Sequence, residues 1–63
     1  MCESVVFLEE GDEVSEVMRD VARIVIVDGI VLCTSIVGER IELENVHFKE
    51  ANFLSHGIVF ARD

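Results

Sequence analysis

One stretch, residues 21–37, constrains the fold more than any other part of the chain. It contains two β-branched apolar runs, VARIVIV and IVLCTSIV, which flank the dipeptide Asp28-Gly29. That dipeptide suits a two-residue type I′ turn, because glycine adopts positive φ freely and aspartate tolerates it better than most residues. The pattern predicts a β-hairpin. Since both runs are apolar at almost every position, we expect both faces of these strands to be covered.

Short segments on either side of the hairpin also favour strands. The apolar run at residues 5–8 predicts a first strand, and residues 14–17 predict a short strand or bend followed by a turn. Residues 41–48 alternate apolar and polar side chains with a change of parity, which predicts a bulge or sharp bend near residues 44–45. Residues 58–61 predict a final strand. We therefore expect an all-β fold, a small antiparallel β-barrel of five to six short strands.

The length and the apolar content together predict self-association. The 63 residues predict a single domain over residues 1–63, and a chain this short buries only about 60% of the surface that it exposes when unfolded. Hydrophobic residues make up 51% of the chain, and the mean hydropathy is +0.44. One small domain cannot easily hide so much apolar surface, so we expect a homodimer.

The charge and the hydropathy pattern exclude several classes of partner. The net charge is −8, from thirteen acidic and five basic residues, and the scattered bases form no stripe that could neutralise phosphates. Direct binding of nucleic acid is therefore disfavoured. No apolar run approaches the roughly 20 residues that cross a bilayer, and no signal-peptide pattern opens the chain. We expect a cytoplasmic protein with no membrane partner.

Few side chains offer chemistry, and their pattern argues against an enzyme. A barrel of this size has no interior to spare for a substrate pocket. Cys33 lies within an apolar strand and is interpreted as a small buried hydrophobe. His47 and His56 lack the spacing of a zinc site and are interpreted as surface histidines. The acidic segment at residues 9–13 lacks the spacing of a calcium loop and is interpreted as a solvated turn.

Cys2 is the candidate metal ligand. It follows Met1 directly, so its thiolate and the main-chain nitrogens of Met1 and Cys2 can close a five-membered chelate ring on one ion. Thiolate with amine or amide nitrogen suits square-planar Ni(II) or Cu(II). One chain supplies too few donors, whereas two chains related by a two-fold axis supply a complete set of two sulfurs and two nitrogens. The alternative from the residues alone is an incidental thiol at a frayed terminus.

The chain resembles the CooT family in several segments. These are the opening Met-Cys-Glu, the run at residues 5–8, residues 16–21, the hairpin, the Gly38-Glu39 turn and residues 53–59. The family comprises small proteins of anaerobic prokaryotes, among them a nickel-binding accessory to carbon monoxide dehydrogenase maturation, and many members are labelled as RNA-binding. The resemblance implies a homodimeric small β-barrel that holds nickel at the dimer interface through the cysteine after the first methionine. That position is Cys2 here.

From the residues and the resemblance together we expect a nickel-binding, metallochaperone-like accessory protein. It would hold one Ni(II) per dimer at Cys2 and Met1 and serve a nickel enzyme or its maturation factors. A dimeric protein-interaction module without metal is the second hypothesis. RNA binding is the third, and the net charge of −8 disfavours it.

Overall fold

A computed structural model describes residues 4–62, in which all regular structure is β. This confirms the all-β prediction. The predicted count of five to six strands is wrong, because residues 13–18 form a full strand and residues 41–48, expected as one bent strand, belong to two strands. The seven strands are β1 Val5–Glu10, β2 Glu13–Met18, β3 Val21–Val27, β4 Ile30–Ser35, β5 Arg40–Leu43, β6 Val46–Asn52 and β7 Gly57–Arg62.

The strands form two sheets. The larger has the order β2-β1-β7-β6 and the smaller the order β3-β4-β5. At the centre of the larger sheet β1 pairs parallel with β7, with Val5 opposite Gly57 and Glu10 opposite Arg62. The other pairings within residues 4–62 are antiparallel. The prediction of a wholly antiparallel sheet is therefore wrong, and so is the prediction of a closed barrel, since the described strands form two separate sheets.

The predicted hairpin is confirmed as β3 and β4. Val27 lies opposite Ile30 across the turn, and the two turn residues both have positive φ, 50° at Asp28 and 77° at Gly29. Positive φ at both central residues is the signature of the type I′ turn, whose twist matches that of the flanking strands. The turn dipeptide therefore sets the register of this hairpin.

The predicted bend near residues 44–45 is also confirmed. β5 ends at Leu43, β6 begins at Val46, and Asn45 has a φ of 59°. The two strands belong to different sheets. The change of parity in the sequence therefore marks the place where the chain passes from the smaller sheet to the larger one.

The core lies between the two sheets. Val6 and Phe60 from the larger sheet and Val31 and Cys33 from the smaller are its most deeply buried large side chains. In β4 buried and half-buried residues alternate, as the two-residue repeat of a strand requires. Burying each large apolar side chain contributes about 1.5–3 kcal/mol, so this cluster dominates the stability of the fold.

The prediction that both faces of the hairpin are covered is wrong. Ile26 is 57% exposed and Val27 is 49% exposed, both near the end of β3. β3 is an edge strand of the smaller sheet, and the side chains of its last two residues stay exposed to solvent. Apolar runs of this kind are typical of covered strands, but within residues 4–62 the cover is incomplete.

Candidate metal centre and the two ends of the fold

The predicted metal ligands, Met1 and Cys2, lie outside the described residues. The described chain begins at Ser4, two residues after Cys2. The surroundings of Ser4 are therefore the part of the structure that bears on a site at Cys2.

Backbone hydrogen bonds fix the chain around Ser4. Val5 N donates to His56 O at 2.9 Å, and Val21 N donates to Ser4 O at 3.0 Å. A third bond, from Ile36 N to Asp20 O at 2.8 Å, joins the connection between β4 and β5 to the connection between β2 and β3. The start of β1 is thus held between the connection before β7 and the start of β3. A ligand placed just before Ser4 would adjoin a well-fixed backbone.

Two turns at this end carry strongly exposed apolar side chains. In the turn between β6 and β7, Phe53 is 82% exposed and Leu54 is 95% exposed. In the turn between β4 and β5, Ile36 is 55% and Val37 77% exposed. We call Ser4, residues 19–20, residues 36–39 and residues 53–56 the apolar end. Side chains of this size are seldom so exposed together in a soluble monomer.

Side-chain caps hold the backbone of both turns. Ser35, buried at the end of β4, accepts hydrogen bonds at its Oγ from Val37 N at 3.3 Å and Glu39 N at 3.1 Å. Asn52 Oδ1 accepts from Leu54 N at 3.0 Å and Ser55 N at 3.1 Å. Such side-chain acceptors stabilise turns against open conformations. The apolar side chains of the end are therefore presented by ordered turns.

The opposite end of the fold is acidic. Arg62, at the end of β7, donates to Glu44 O at 2.8 Å and to Glu10 Oε2 at 3.0 Å, which brings the end of β1 and the connection before β6 together. Residues 9–13 add three further acids, of which Glu9 pairs with Lys49. We call residues 9–13 and 44–45 the acidic end. The acidic segment is a turn with strand on both sides, since β1 extends to Glu10.

Charges at the apolar end are more nearly balanced. Arg19 Nε lies 2.6 Å from Glu16 Oε2, and this hydrogen bond raises the pKa of Arg19 above its ordinary value. Within the apolar end the charged residues are Arg19, Asp20 and Glu39, one base and two acids, whereas residues 9–13 and 44–45 contain five acids and no base. An approaching protein of negative charge would meet less repulsion here than at the acidic end.

Cys33 is confirmed as a small buried hydrophobe. Its side chain is fully buried between Ile24 and Ile41 on the neighbouring strands, and burial raises the pKa of its thiol above the ordinary value. A thiol in apolar surroundings is held in the neutral form, which is a poor metal ligand. Cys33 therefore serves packing.

The two histidines lie far apart and are both exposed. His47 is opposite Ala61 near the end of β7, whereas His56 directly precedes Gly57 at its start. Five strand residues separate these positions, about 16 Å along β7, so the two rings cannot share an ion. His56 belongs to the apolar end, a placement that follows from the parallel pairing of β1 with β7 and that the sequence pattern did not signal.

Two further findings concern the described residues as a whole. Within residues 4–62 no group of three or more histidine, cysteine, aspartate or glutamate side chains could hold a metal ion. No helix in the same part of the chain is long and apolar enough to cross a membrane.

Comparison with solved structures confirms the fold. The chain superposes on the crystal structure of a candidate CooT from Carboxydothermus hydrogenoformans with a TM-score of 0.86, at 22% sequence identity and covering 98% of both chains. Among curated proteins none matches. The family model described as CO dehydrogenase accessory protein CooT matches residues 1–61. Because the match spans nearly the whole sequence, the chain belongs to the CooT family of accessory proteins.

Proposed function

We propose that this protein is a nickel-binding accessory protein which holds one Ni(II) between two copies of the chain through Cys2. The observation that carries the proposal is the family match over residues 1–61, which includes the Met1-Cys2 pair. The family description names carbon monoxide dehydrogenase as the enzyme served. A nickel enzyme of this class, or one of its maturation factors, is the proposed recipient of the metal in the cytoplasm.

Coordination chemistry favours Cys2 over the other thiol. The chain has two cysteines, and Cys33 is fully buried in the core, so a thiolate ligand at the surface has to come from Cys2. The main-chain nitrogen of Cys2 closes a five-membered chelate ring with its own thiolate, and these donors suit square-planar Ni(II). Two copies would supply two sulfurs and two nitrogens, a full set for one ion.

The structure supports a site before Ser4 in a second way. The backbone that follows the proposed ligands is hydrogen-bonded on both sides, because Val21 N donates to Ser4 O and Val5 N donates to His56 O. A metal site gains affinity when its supporting backbone is already ordered, because less conformational entropy is lost on binding. The exposed apolar turns at the same end also favour association without metal, which is the second candidate function.

Isothermal titration of nickel into the full chain tests the proposal. Wild type should bind one ion per two chains, and Cys2→Ser should not bind. Cys33→Ala is the matched control, since it removes the other thiol without burying a hydroxyl, and it should keep the wild-type affinity. Binding should release protons and weaken as the pH falls, because the proton and the metal compete for the same sulfur. Undiminished nickel affinity in Cys2→Ser would refute the proposal.

His47 offers a further control. His47 lies at the far end of β7 from Ser4, so His47→Ala should leave the titration unchanged. A loss of nickel binding in His47→Ala would place the site elsewhere on the surface.

A further inference from the structure

The smaller sheet has a second face, which points away from the core. Val31 and Cys33 of β4 are buried in the core, so the alternate residues Leu32 and Thr34 project from the opposite side of the sheet. The residues of β3 and β5 that pair with Leu32 and Thr34 lie on the same side. We call this surface the outward face, and it comprises Arg23, Val25, Leu32, Thr34, Arg40 and Glu42.

Apolar side chains form the middle of the outward face. Val25 lies opposite Leu32, and Val27 lies opposite Ile30 at the next outward position toward the turn. An open depression of about 370 Å³ lies over Val25 and Leu32. The hairpin sequence is therefore apolar on both sides because one set of side chains fills the core and the other set lines this depression.

Two arginines flank Thr34 on the outward face. Arg23 lies opposite Thr34 across β3 and β4, and Arg40 lies opposite Thr34 across β4 and β5. Neighbouring strands are about 4.8 Å apart, so the two arginine Cα atoms lie about 10 Å apart. Both arginines are exposed, and their long side chains can reach the same ligand group from either side.

The charges of these two arginines are not neutralised within residues 4–62. Each of the other three bases of the chain forms an ion pair with a glutamate in that part of the structure, whereas Arg23 and Arg40 form none there. Glu42 is the single acid of the outward face. Two bases and one acid leave a net charge of +1 on this face of a chain whose total charge is −8.

We propose that the outward face docks a partner protein through a segment that carries a carboxylate beside apolar side chains. Arg23 and Arg40 bind the carboxylate, since a guanidinium can donate two parallel hydrogen bonds to it. Val25 and Leu32 receive the apolar side chains. A second copy is disfavoured as the occupant, because two such faces would oppose their net positive charges. The proposal goes beyond nickel binding, since none of these residues is a proposed metal ligand.

A synthetic peptide titrated into the metal-free full chain tests the inference. The probe is a short peptide that alternates leucine and glutamate, with both termini blocked so that its carboxylates come from glutamate alone. Amide chemical shifts of isotope-labelled protein give both the dissociation constant and the residues that respond. Wild type should bind with shifts centred on β3, β4 and β5. The same peptide with glutamine in place of glutamate should bind about tenfold more weakly.

Substitutions on the outward face should weaken binding of the glutamate peptide. Arg23→Gln and Arg40→Gln should each do so by about threefold, and the double variant by about tenfold. Lys49→Gln is the matched control, because it removes the same charge from β6 of the larger sheet, and it should keep the wild-type affinity. Val25→Thr keeps the size of the side chain but makes it polar, and it should weaken binding by about threefold. Circular dichroism should show the same fold in every variant.

Several results would overturn the inference. They are a wild type that does not bind the peptide, shifts centred outside the smaller sheet, and equal weakening by Lys49→Gln and Arg40→Gln, which would assign binding to net charge alone. Sedimentation velocity without peptide tests the other occupant. A lower mass for the double arginine variant than for wild type would show that this face binds a second copy, and the proposed partner would be wrong. Nickel titration is independent of all these measurements, which use metal-free protein.

Discussion

Replacement of Gly29 tests the geometry of the hairpin most directly. Gly29 has a φ of 77°, and a Cβ added there would have no heavy atom within 4 Å. A Cβ at this position makes no steric clash, so any loss of stability comes from the backbone conformation. A left-handed backbone costs an L-residue about 1–2 kcal/mol, and the reduced entropy of the unfolded chain returns about 0.4–1 kcal/mol. The net loss for Gly29→Ala is about 1 kcal/mol.

The same reasoning orders three substitutions at this position. Gly29→Val should cost nearer 2 kcal/mol, because β-branched residues tolerate positive φ worst. Gly29→Asn should cost least, because asparagine adopts this conformation more readily than other side chains. A loss of 1 kcal/mol lowers the melting temperature of a domain this small by about 4–8 °C. Thermal unfolding followed by circular dichroism resolves such shifts.

Two results would refute this argument. Equal melting temperatures for Gly29→Ala and wild type would mean that the turn does not hold positive φ in solution. A loss in Gly29→Asn as large as in Gly29→Ala would mean that something other than backbone strain sets the cost.

Three more predictions concern stability. Ser35→Ala removes the acceptor of two backbone N–H groups and should cost about 1–3 kcal/mol in urea denaturation; a loss below 0.5 kcal/mol, roughly the size of an ordinary surface change, would contradict this. Phe60→Ala should cost about 3–5 kcal/mol because Phe60 is 1% exposed, whereas Phe53→Ala should change the free energy of unfolding by less than about 0.5 kcal/mol; similar losses in both would be inconsistent with the fold. Burial raises the pKa of Cys33 above the ordinary 9.0, so the native state disfavours the thiolate; its contribution to stability is complete below pH 9.0 and is lost as the pH rises through the raised pKa. The free energy of unfolding, measured by urea denaturation at several pH values, should therefore fall less for Cys33→Ala than for wild type as the pH rises from neutral through the raised pKa. Identical pH profiles for the two proteins would contradict the burial of the thiol.

Local features of the fold could be predicted because their causes are local. The hairpin follows from the φ preferences of Asp28 and Gly29, and both have positive φ as expected. The bend at Asn45 follows from the change of side-chain parity on either side of it. Cys33 could be placed in the core because it lies in a nearly continuous apolar run. Each conclusion needs only a few neighbouring residues.

The features that were missed depend on partners distant in the chain. Strand propensity does not specify which strands pair, so no pattern in the sequence indicated that β1 pairs parallel with β7. The exposure of Ile26 depends on which distant segments of the chain pack against β3. The apolar end is likewise assembled from turns far apart in the sequence. The choice of Cys2 as a ligand came from its position after Met1 and from the resemblance, and it stays a prediction.

The parallel contact of β1 with β7 also sets the order in which the protein can fold. Val5 lies opposite Gly57 and Glu10 opposite Arg62, so the first strand has to close a loop of some fifty residues to reach the last. Contacts of such long sequence separation slow folding, because the entropy of loop closure is lost before the contact stabilises the chain. During synthesis β1 is made well before β7, so it lacks its parallel partner until some fifty further residues have been added. The hairpin of β3 and β4, whose contacts are local, can form well before that.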